Sequence, residues 1–241
     1  MAGVAVVVGV GPGLGSALAR RFAKGGFAVA LCSRKMESLT PVKADIDKAG
    51  GKAECFTVDS TDEQQVAAAY DSITAQLGHP SVLCYNVGGA GSGGWPPPTV
   101  EDTSVEIFRR SLDACVVGGF LWAKKVIPHM KANKKGTILL TGATASLRGS
   151  KNFCAFSPGK FALRSLGQTM ARELHPCGVH VAHVIVDGII RGPRTEQMMP
   201  GRPADAFMEP DAMAEEYWKL HTQDPSTWSV EIDLRPFTEK F

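Results

Sequence analysis

The sequence predicts an α/β fold, a doubly wound parallel sheet of about seven strands with helices on both faces. Two observations predict it. Short runs of apolar residues alternate with segments of helical periodicity, and a glycine-rich turn joins the first run to the first helix. Strands that are apolar on both faces are typical of a parallel sheet covered by helices on both sides. The length of 241 residues suits one such domain, residues 1–241.

The predicted elements alternate along the chain, beginning with a strand at Val4–Val8. The helix that follows, Leu14–Lys24, places Leu14, Leu18 and Phe22 on one face. The later strands are predicted at Phe27–Cys32, Ala53–Val58, Ser81–Tyr85, Gly136–Thr141, Val179–Val186 and Trp228–Leu234. The other helices are predicted at Met36–Ala49, Asp62–Leu77, Ser104–Lys131 and around Ala162–Leu174. This order is typical of a doubly wound domain.

Cap and turn residues set the predicted starts of two helices. Ser60 or Thr61 is the expected N-cap of the third helix, since acidic side chains follow in its first turn, where the helix dipole favours them. Ser157 followed by Pro158 is a favourable pair for an N-cap and a first helical residue. The helix before the sixth strand is therefore expected to begin at Ser157 and to leave Phe156 outside it.

Composition and charge exclude several classes of protein. The chain is 44% hydrophobic and 21% charged with a net charge of +2, which argues against disorder and against nucleic acid or an anionic membrane as a partner. Its six cysteines show no Cys-x-x-Cys pair and no zinc-type spacing, so no metal site is expected. The apolar run from Val4 to Val10 is too short to span a bilayer, and no leader peptide is recognisable. We therefore expect a cytoplasmic protein with free thiols.

A glycine-rich turn, residues 9–15, joins the first strand directly to the first helix and reads Gly-Val-Gly-Pro-Gly-Leu-Gly. At this place a dinucleotide pyrophosphate needs close approach of the backbone and free N–H groups at the helix start. The turn therefore predicts a Rossmann-type sheet in which Gly9, Gly13, Leu14 and Gly15 contact a dinucleotide.

The glycine spacing of this turn resembles that of the short-chain dehydrogenase/reductase family, and further segments extend the resemblance over nearly the whole chain. The turn after the sixth strand reads Asp187-Gly188 where the family has Pro-Gly. The additional cofactor contacts that the resemblance implies are Asp59, Asn86, Gly88, Lys160, Gly188 and Ile190. It also implies hydride transfer to or from a small molecule, and a substrate lid in residues 190–225.

The end of the second strand decides which dinucleotide is expected. An acid there binds the 2′-hydroxyl of NAD, whereas a basic residue accommodates the 2′-phosphate of NADP. The chain reads Ser33-Arg34-Lys35 at this point, with no acid before Glu37. Arg34 offers two parallel N–H donors to a phosphate, and Ser33 adds a hydroxyl. NADP(H) is therefore favoured over NADH.

The residues that the family uses for proton transfer are largely replaced. Its tyrosine, serine and asparagine fall on Phe156, Ala143 and Cys115, and Lys160 alone matches. None of the three tyrosines of the chain stands four residues before a lysine, so no shift of the alignment restores the pair. Loss of a positioned general acid costs roughly 10²- to 10⁴-fold in rate. The family's standard mechanism therefore cannot operate.

Other side chains are expected near the same cleft. Thr144, the nearest hydroxyl after Ala143, and Ser157 are the candidates for a catalytic role beside Lys160. The remaining groups expected to border the cleft are Tyr85, Cys115, Thr141, Ser146, Cys154 and Asp187.

Two functions are compatible with these residues. The first is an NADP(H)-dependent oxidoreductase that acts on a small, apolar carbonyl, alcohol or enone with non-standard residues. Enone reduction is included because some enone-reducing branches of the family lack the usual tyrosine spacing. The second is a catalytically impaired protein that binds NADP(H) as a sensor or scaffold. The resemblance also implies a homodimer or homotetramer that assembles through the helices at Ser104–Lys131 and Ala162–Leu174.

Overall fold

Seven parallel strands form the central sheet, which confirms the predicted fold class. The computed structural model describes residues 2–88 and 97–239. The strands are β1 (Gly3–Val8), β2 (Phe27–Ser33), β3 (Lys52–Thr57), β4 (Pro80–Tyr85), β5 (Gly136–Thr141), β6 (Val179–Val186), β7 (Ile189–Ile190), β8 (Phe207–Met208) and β9 (Glu231–Leu234). The sheet has the order β3-β2-β1-β4-β5-β6-β9, while β7 and β8 pair separately.

Helices cover both faces of this sheet. They are α1 (Leu14–Lys24), α2 (Met36–Lys48), α3 (Glu63–Leu77), α4 (Val105–Leu112), α5 (Gly118–Ala132), α6 (Phe156–Leu174), α7 (Pro193–Met198) and α8 (Pro210–His221). Buried residues of α1, α2 and α8 pack on one face, and those of α3, α5 and α6 pack on the other. The strands place alternate side chains into these two apolar layers, which is why they are apolar throughout.

The loops that follow β1, β4, β5 and β6 meet at one edge of the sheet, because all the strands run in the same direction. Backbone hydrogen bonds hold two of these loops to neighbouring strands. Gly9 N donates to Cys32 O at 2.9 Å, and Asn86 N donates to Val8 O at 2.9 Å. At this carboxyl edge the strand order reverses on either side of β1, which is where such sheets bind ligands.

The predicted helix Ser104–Lys131 is interrupted in its middle. Residues Asp113–Val117 form a π-helical turn between α4 and α5. The buried Tyr85 hydroxyl donates to the carbonyl oxygen of Ala114 at 2.7 Å, and a Cβ at Gly118 would overlap that hydroxyl. The wider turn thus makes room for the tyrosine, a long-range contact that helical periodicity does not reveal.

The predicted N-cap of the third helix is wrong. Asp62, rather than Ser60 or Thr61, caps α3. Its carboxylate accepts hydrogen bonds from the backbone N–H groups of Gln64 at 2.9 Å and Gln65 at 3.0 Å. A carboxylate at this position is also stabilised by the helix dipole, which a serine or threonine hydroxyl is not.

Helix α6 begins at Phe156, one residue before the predicted start. The backbone N–H groups of Phe156 and Ser157 both donate to the carbonyl oxygen of Phe153, which extends the helical turn past the expected cap. The Ser157 hydroxyl is buried without a hydrogen-bond partner among the described residues, so it caps nothing. Phe156 and Lys160 therefore lie one turn apart on the same face of α6.

The carboxyl-terminal part has more regular structure than the sequence pattern indicates. Helix α8 occupies a segment without clear periodicity, and it buries Met213, Ala214, Tyr217 and Leu220. Strand β9 begins at Glu231, later than the predicted Trp228. The Trp228 ring instead stacks on His180 with ring centroids 4.8 Å apart, which holds it away from the sheet ladder.

All six cysteines are free thiols, as expected. In residues 2–88 and 97–239, no helix is both long and apolar enough to cross a membrane. Over the same ranges, no group of three or more His, Cys, Asp or Glu side chains is placed to hold a metal ion.

Candidate active site

The glycine-rich turn between β1 and α1 folds tightly against the end of β4. Gly9 has a φ of +88°, and a Cβ there would overlap the carbonyl oxygen of Asn86. A Cβ at Gly15 would overlap the carbonyl oxygen of Gly9. The Asn86 amide donates to that same Gly9 oxygen at 3.2 Å. The turn thus has no side chains at Gly9 and Gly15. A pyrophosphate can approach the start of α1 closely only when such positions carry no side chain.

A cavity of about 280 Å³ opens beside this turn. The predicted cofactor residues that line it are Gly9, Ser33, Arg34, Asp59, Asn86 and Gly88. Asp59 accepts two hydrogen bonds from Thr61, one from the backbone N–H at 3.0 Å and one from the hydroxyl at 2.8 Å. A larger cavity, about 1090 Å³, opens at the opposite edge of the sheet and contains neither the glycine-rich turn nor Lys160. The smaller cavity is therefore the candidate cofactor site.

Other predicted cofactor residues lie around the turn. Ile190 Cγ2 would be 3.9 Å from a Cβ at Gly13, so the segment after β6 reaches the turn. Gly188 packs against Pro236, whose Cδ would lie 2.6 Å from a Cβ at Gly188. The Leu14 side chain is buried in the core, so only its backbone can contact a ligand.

Arg110 is a further cation at this cavity that sequence reasoning missed. It belongs to α4 and lines the same cavity as Arg34, which comes from the end of β2. Both side chains are exposed. No sequence signal marks Arg110, because an arginine on an amphipathic helix usually belongs to the solvated face. Only the packing of α4 beside the glycine-rich turn brings the two guanidinium groups to one cavity.

Lys160 joins the loops that follow β4 and β5. Its side chain is 2% exposed, and Nζ donates to Val87 O at 3.1 Å and to Thr141 O at 2.8 Å. Burial lowers the pKa of the Lys160 ammonium, and the charge of a Cys115 thiolate would offset this only in part. The predicted ribose-binding lysine is therefore held rigidly at the carboxyl edge.

The three replaced positions of the family site carry no group that can donate a proton to a substrate. Phe156 is half-buried, and its ring centroid lies 5.7 Å from Lys160 Nζ. Cys115 is fully buried against Gly159, where a Cβ would lie 2.8 Å from the Cys115 Cβ. Burial raises the pKa of the Cys115 thiol. Ala143, the third replaced position, carries only a methyl group.

Thr144 and Asp187 form a polar pair at the ends of β5 and β6. Thr144 is partly exposed, and its hydroxyl donates to Asp187 Oδ1. Asp187 is 3% exposed, and its other oxygen, Oδ2, lies 2.8 Å from Arg235 Nη2. The backbone N–H of Asp187 donates to Leu234 O at 2.8 Å, a bond that the family's proline could not make. The buried carboxylate is therefore compensated on both oxygens.

Two side chains expected at the cleft point elsewhere. The Thr141 hydroxyl lies 2.8 Å from the Tyr217 hydroxyl, in the apolar layer under α8. Tyr85 is buried in the opposite layer, beneath α5. These two expectations are wrong because nearness to a strand end does not fix the face to which a side chain points. Cys154 is partly exposed, with Sγ 3.2 Å from Thr103 Oγ1, and its place at the cleft stays a prediction.

Ser146 is also turned away from the cleft, into a polar array that is buried at Ser146 and His183 and partly exposed at Glu231 and Arg164. Its hydroxyl accepts from Ala143 N at 3.2 Å and lies 3.4 Å from His183 Nε2. His183 Nδ1 lies 2.9 Å from Glu231, which receives two bonds of 2.7 Å from Arg164. Burial lowers the pKa of His183 despite the carboxylate. The neutral ring can thus donate to Glu231 and accept from Ser146, and the array ties α6 to β9.

Substitution of Glu231 by glutamine is expected to lower the free energy of unfolding at pH 7 by about 1–3 kcal/mol. Although burial raises the pKa of Glu231, the bonds from Arg164 and His183 lower it below its usual 4.5. This stabilisation is therefore complete above pH 4.5 and is lost as the pH falls through the lowered pKa. Urea unfolding at pH 7 and pH 4 measures both effects.

The control for this substitution is Glu216→Gln, which removes an exposed pair with Lys219 on α8. Its expected cost is below about 0.5 kcal/mol. Equal costs for the two variants, or a cost for Glu231→Gln that does not shrink in acid, would contradict a stabilising role of the polar array.

Comparison with known proteins agrees with this geometry. A family profile described as short chain dehydrogenase matches residues 3–201. The chain belongs to the short-chain dehydrogenase family. A solved short-chain dehydrogenase from Rhodopseudomonas palustris is 34% identical to it, with a TM-score of 0.83, and the match covers 98% of this chain and 99% of that one.

Two further relatives differ in how much of their own length the match covers. A metagenomic short-chain oxidoreductase, solved in complex with NADP, is 27% identical with a TM-score of 0.83, and the match covers 97% of each chain. The "Uncharacterized oxidoreductase YuxG" of Bacillus subtilis (strain 168) is 28% identical over 221 residues, which is 90% of this chain and 31% of that protein. Membership of the short-chain dehydrogenase family supports oxidoreductase activity in general. This chain differs from the family's pattern at Phe156, Ala143 and Cys115.

Proposed function

We propose that this short-chain dehydrogenase is an NADP(H)-dependent oxidoreductase that transfers hydride to or from a small, apolar carbonyl, alcohol or enone. The observation that carries the proposal is the presence of two guanidinium groups, Arg34 and Arg110, at the cavity beside the glycine-rich turn. A 2′-phosphate on the adenosine ribose would meet cations there, whereas NAD has no phosphate at that position. The NADP complex of the metagenomic relative is a further support.

The residues present fit such a cofactor. The turn offers the pyrophosphate a cradle that a side chain at Gly9 or Gly15 would close. Ser33 and Arg34 would hold the 2′-phosphate. Lys160 would hold the nicotinamide ribose, since its ammonium has one N–H left after its two backbone hydrogen bonds. When bound, the cofactor supplies or accepts the hydride.

The surroundings of the site support a lid and an assembly of identical chains. We infer that residues 190–225 form the substrate lid, because Ile190 approaches Gly13 and a Cβ at Gly192 would lie 3.0 Å from Pro12 O.

Large apolar side chains are exposed on α4, on the π-helical turn, on α5 and on α6, namely Val105, Phe108, Val117, Phe120 and Phe161. Such a patch suits a homodimer or homotetramer, which sedimentation equilibrium measures. A cytoplasmic location stays a prediction.

Substitution of Arg34 by glutamine is expected to weaken NADPH binding by about 10- to 100-fold and to change NADH binding by less than about threefold. The reason is that a hydrogen bond to a charged group contributes about 1.5–3 kcal/mol, and only NADPH carries the 2′-phosphate. Energy transfer from tryptophan to the bound reduced cofactor measures both dissociation constants.

The matched control is Lys35→Gln, which removes an exposed charge from the same turn but does not line the cavity. It is expected to weaken NADPH binding by less than about threefold, because exposed charges are screened. Equal losses for NADPH and NADH in Arg34→Gln would contradict the assignment of the 2′-phosphate site.

Hydride transfer itself separates the proposed enzyme from a sensor or scaffold. The protein is incubated with NADPH deuterated at C4 and a panel of apolar aldehydes, ketones and enones, and with NADP⁺ and deuterated secondary alcohols. Deuterium in any organic product or in NADPH supports the oxidoreductase. Tight NADPH binding without any transfer would favour the sensor or scaffold.

A further inference from the structure

Thr144 and Asp187 combine a partly exposed residue with a buried one. The Thr144 hydroxyl donates to the carboxylate of Asp187, a residue that is 3% exposed. Buried carboxylates need compensation, and Arg235 provides it at Oδ2 with a distance of 2.8 Å. Oδ1 is therefore left to interact with Thr144, the more exposed residue of the pair.

The pair lies at the same edge of the sheet as Lys160. Thr144 directly follows Ala143, and the carbonyl oxygen of Thr141, the last residue of β5, accepts from Lys160 Nζ at 2.8 Å. Asp187 begins the turn after β6, and Ile190 in this turn approaches the glycine-rich turn. Thr144 and Asp187 therefore stand at the ends of the two strands that border the position of Lys160.

The other candidate groups cannot take this part. The hydroxyls of Thr141 and Ser146 are bonded inside the protein, and that of Ser157 is buried. The Tyr85 hydroxyl donates to the backbone beneath α5. Among these candidates, Thr144 is the residue that is partly exposed and whose hydroxyl is bonded to a carboxylate.

We propose that Thr144 and Asp187 form a proton relay that takes the place of the family's tyrosine; this proposal rests on the proposed function. In alcohol oxidation the O–H and C–H bonds of the substrate break and a C=O double bond forms. The substrate proton passes to the Thr144 oxygen, while the proton already on that oxygen passes to Asp187 Oδ1. The hydride leaves for the oxidised nicotinamide dinucleotide, so the substrate loses two electrons and the dinucleotide gains them.

The relay can run in both directions. In carbonyl reduction the Thr144 proton passes to the substrate oxygen while a proton on Asp187 Oδ1 passes to the Thr144 oxygen. After alcohol oxidation and release of the ketone, Asp187 returns its proton through Thr144 to water in the cleft.

Variants of Thr144 in the full chain test the relay. Oxidation of a panel of apolar secondary alcohols is followed by the absorbance of NADPH. Thr144→Val, which is nearly isosteric but lacks the hydroxyl, is expected to lower kcat by about 100-fold or more. Thr144→Ser keeps the hydroxyl and is expected to lose less than about fivefold. An unchanged kcat in T144V would overturn the relay.

A second background separates proton transfer from structural support. Ala143→Ser with Phe156→Tyr restores a serine and a tyrosine at the family positions, which gives the proton another route. In this background T144V is expected to lower kcat by less than about tenfold. An equal loss in both backgrounds would assign Thr144 a structural role and overturn the relay.

The pairing is also measured without cofactor or substrate. The melting temperatures of T144V, Asp187→Asn and the double variant are compared in the apoprotein. Either single substitution already removes the hydrogen bond that the two side chains share. The fall in melting temperature of the double variant is therefore expected to be smaller than the sum of the falls in the two single variants. Additive shifts would overturn the pairing.

The relay and the proposed function fail in different ways. If the wild-type protein does not bind NADPH, the proposed function fails and the relay fails with it. If the protein binds NADPH but oxidises none of the alcohols that A143S/F156Y oxidises, the relay alone fails. Oxidation by the wild-type protein that depends on Thr144 supports both.

Discussion

Substitution of Lys160 by methionine is expected to lower the rate of hydride transfer by about 10²- to 10⁴-fold and to weaken NADPH binding by at least about tenfold. Methionine has a similar length but could not donate to the ribose or supply a positive charge to the site. The two carbonyl oxygens of Val87 and Thr141 also lose their donor, so the loops after β4 and β5 are no longer joined. Single-turnover kinetics and NADPH titration measure the two losses.

The same substitution separates two opposing effects on stability. A carbonyl oxygen left without a donor costs about 1–3 kcal/mol, whereas removal of a buried charge offsets part of that loss. Because burial lowers the pKa of Lys160 below its usual 10.5, the charged ammonium opposes folding at neutral pH. The stability of the wild-type protein relative to K160M is therefore expected to rise as the pH rises through the lowered pKa towards 10.5.

Lys124→Met is the control, since that lysine is exposed on α5 and makes one surface ion pair with Glu63. It is expected to change stability by less than about 0.5 kcal/mol and to leave NADPH binding unaltered. Hydride transfer at the wild-type rate in K160M would contradict any role of Lys160 in the site.

Gly15→Ala is expected to lower the free energy of unfolding by about 2–4 kcal/mol and to weaken NADPH binding by more than about 100-fold. The added methyl group would overlap the carbonyl oxygen of Gly9 and lie 2.9 Å from Val10 Cα. Both contacts are with backbone, and Gly9 N is bonded to Cys32 O, so the turn cannot shift without disturbing β2. Urea unfolding and cofactor titration measure the effects.

Gly11 provides the comparison within the same turn. A Cβ at Gly11 would meet nothing within 4 Å. Gly11→Ala is therefore expected to change the free energy of unfolding by less than about 1 kcal/mol. Any change in its NADPH affinity would then come from contact between the added methyl group and the cofactor. A destabilisation as large as that of G15A would show that chain flexibility, rather than the close backbone approach, governs the turn.

Much of the fold was predictable because its signals are local. The bounds of α1 (Leu14–Lys24), β5 (Gly136–Thr141) and β6 (Val179–Val186) agree with the prediction at both ends. Each of these segments carries its own periodicity and its own flanking turn residues. The predicted elements at Ser104–Lys131 and Trp228–Leu234 agree less well, because Tyr85 and His180 contact them from distant parts of the chain.

The candidate site was predictable to a different degree in its two halves. The cofactor half depends on backbone shape and on charge at a strand end, and both can be inferred from consecutive residues such as those from Gly9 to Gly15. The catalytic half depends on where single hydroxyls point. Thr141, Thr144 and Ser146 stand within six residues of one another, yet the first bonds to Tyr217, the second to Asp187 and the third to His183.

The sequence by itself determined that the chain forms a doubly wound sheet, that its glycine-rich turn suits a dinucleotide, that the end of β2 is basic, and that no tyrosine stands four residues before Lys160. Only the tertiary structure decided that Arg110 joins Arg34 and that Thr144 bonds to Asp187, which lies 43 residues away and is paired with Arg235. The physical reason is that periodicity and turn chemistry act between neighbours in the chain. The direction of a polar side chain is set instead by the partners that packing brings to it.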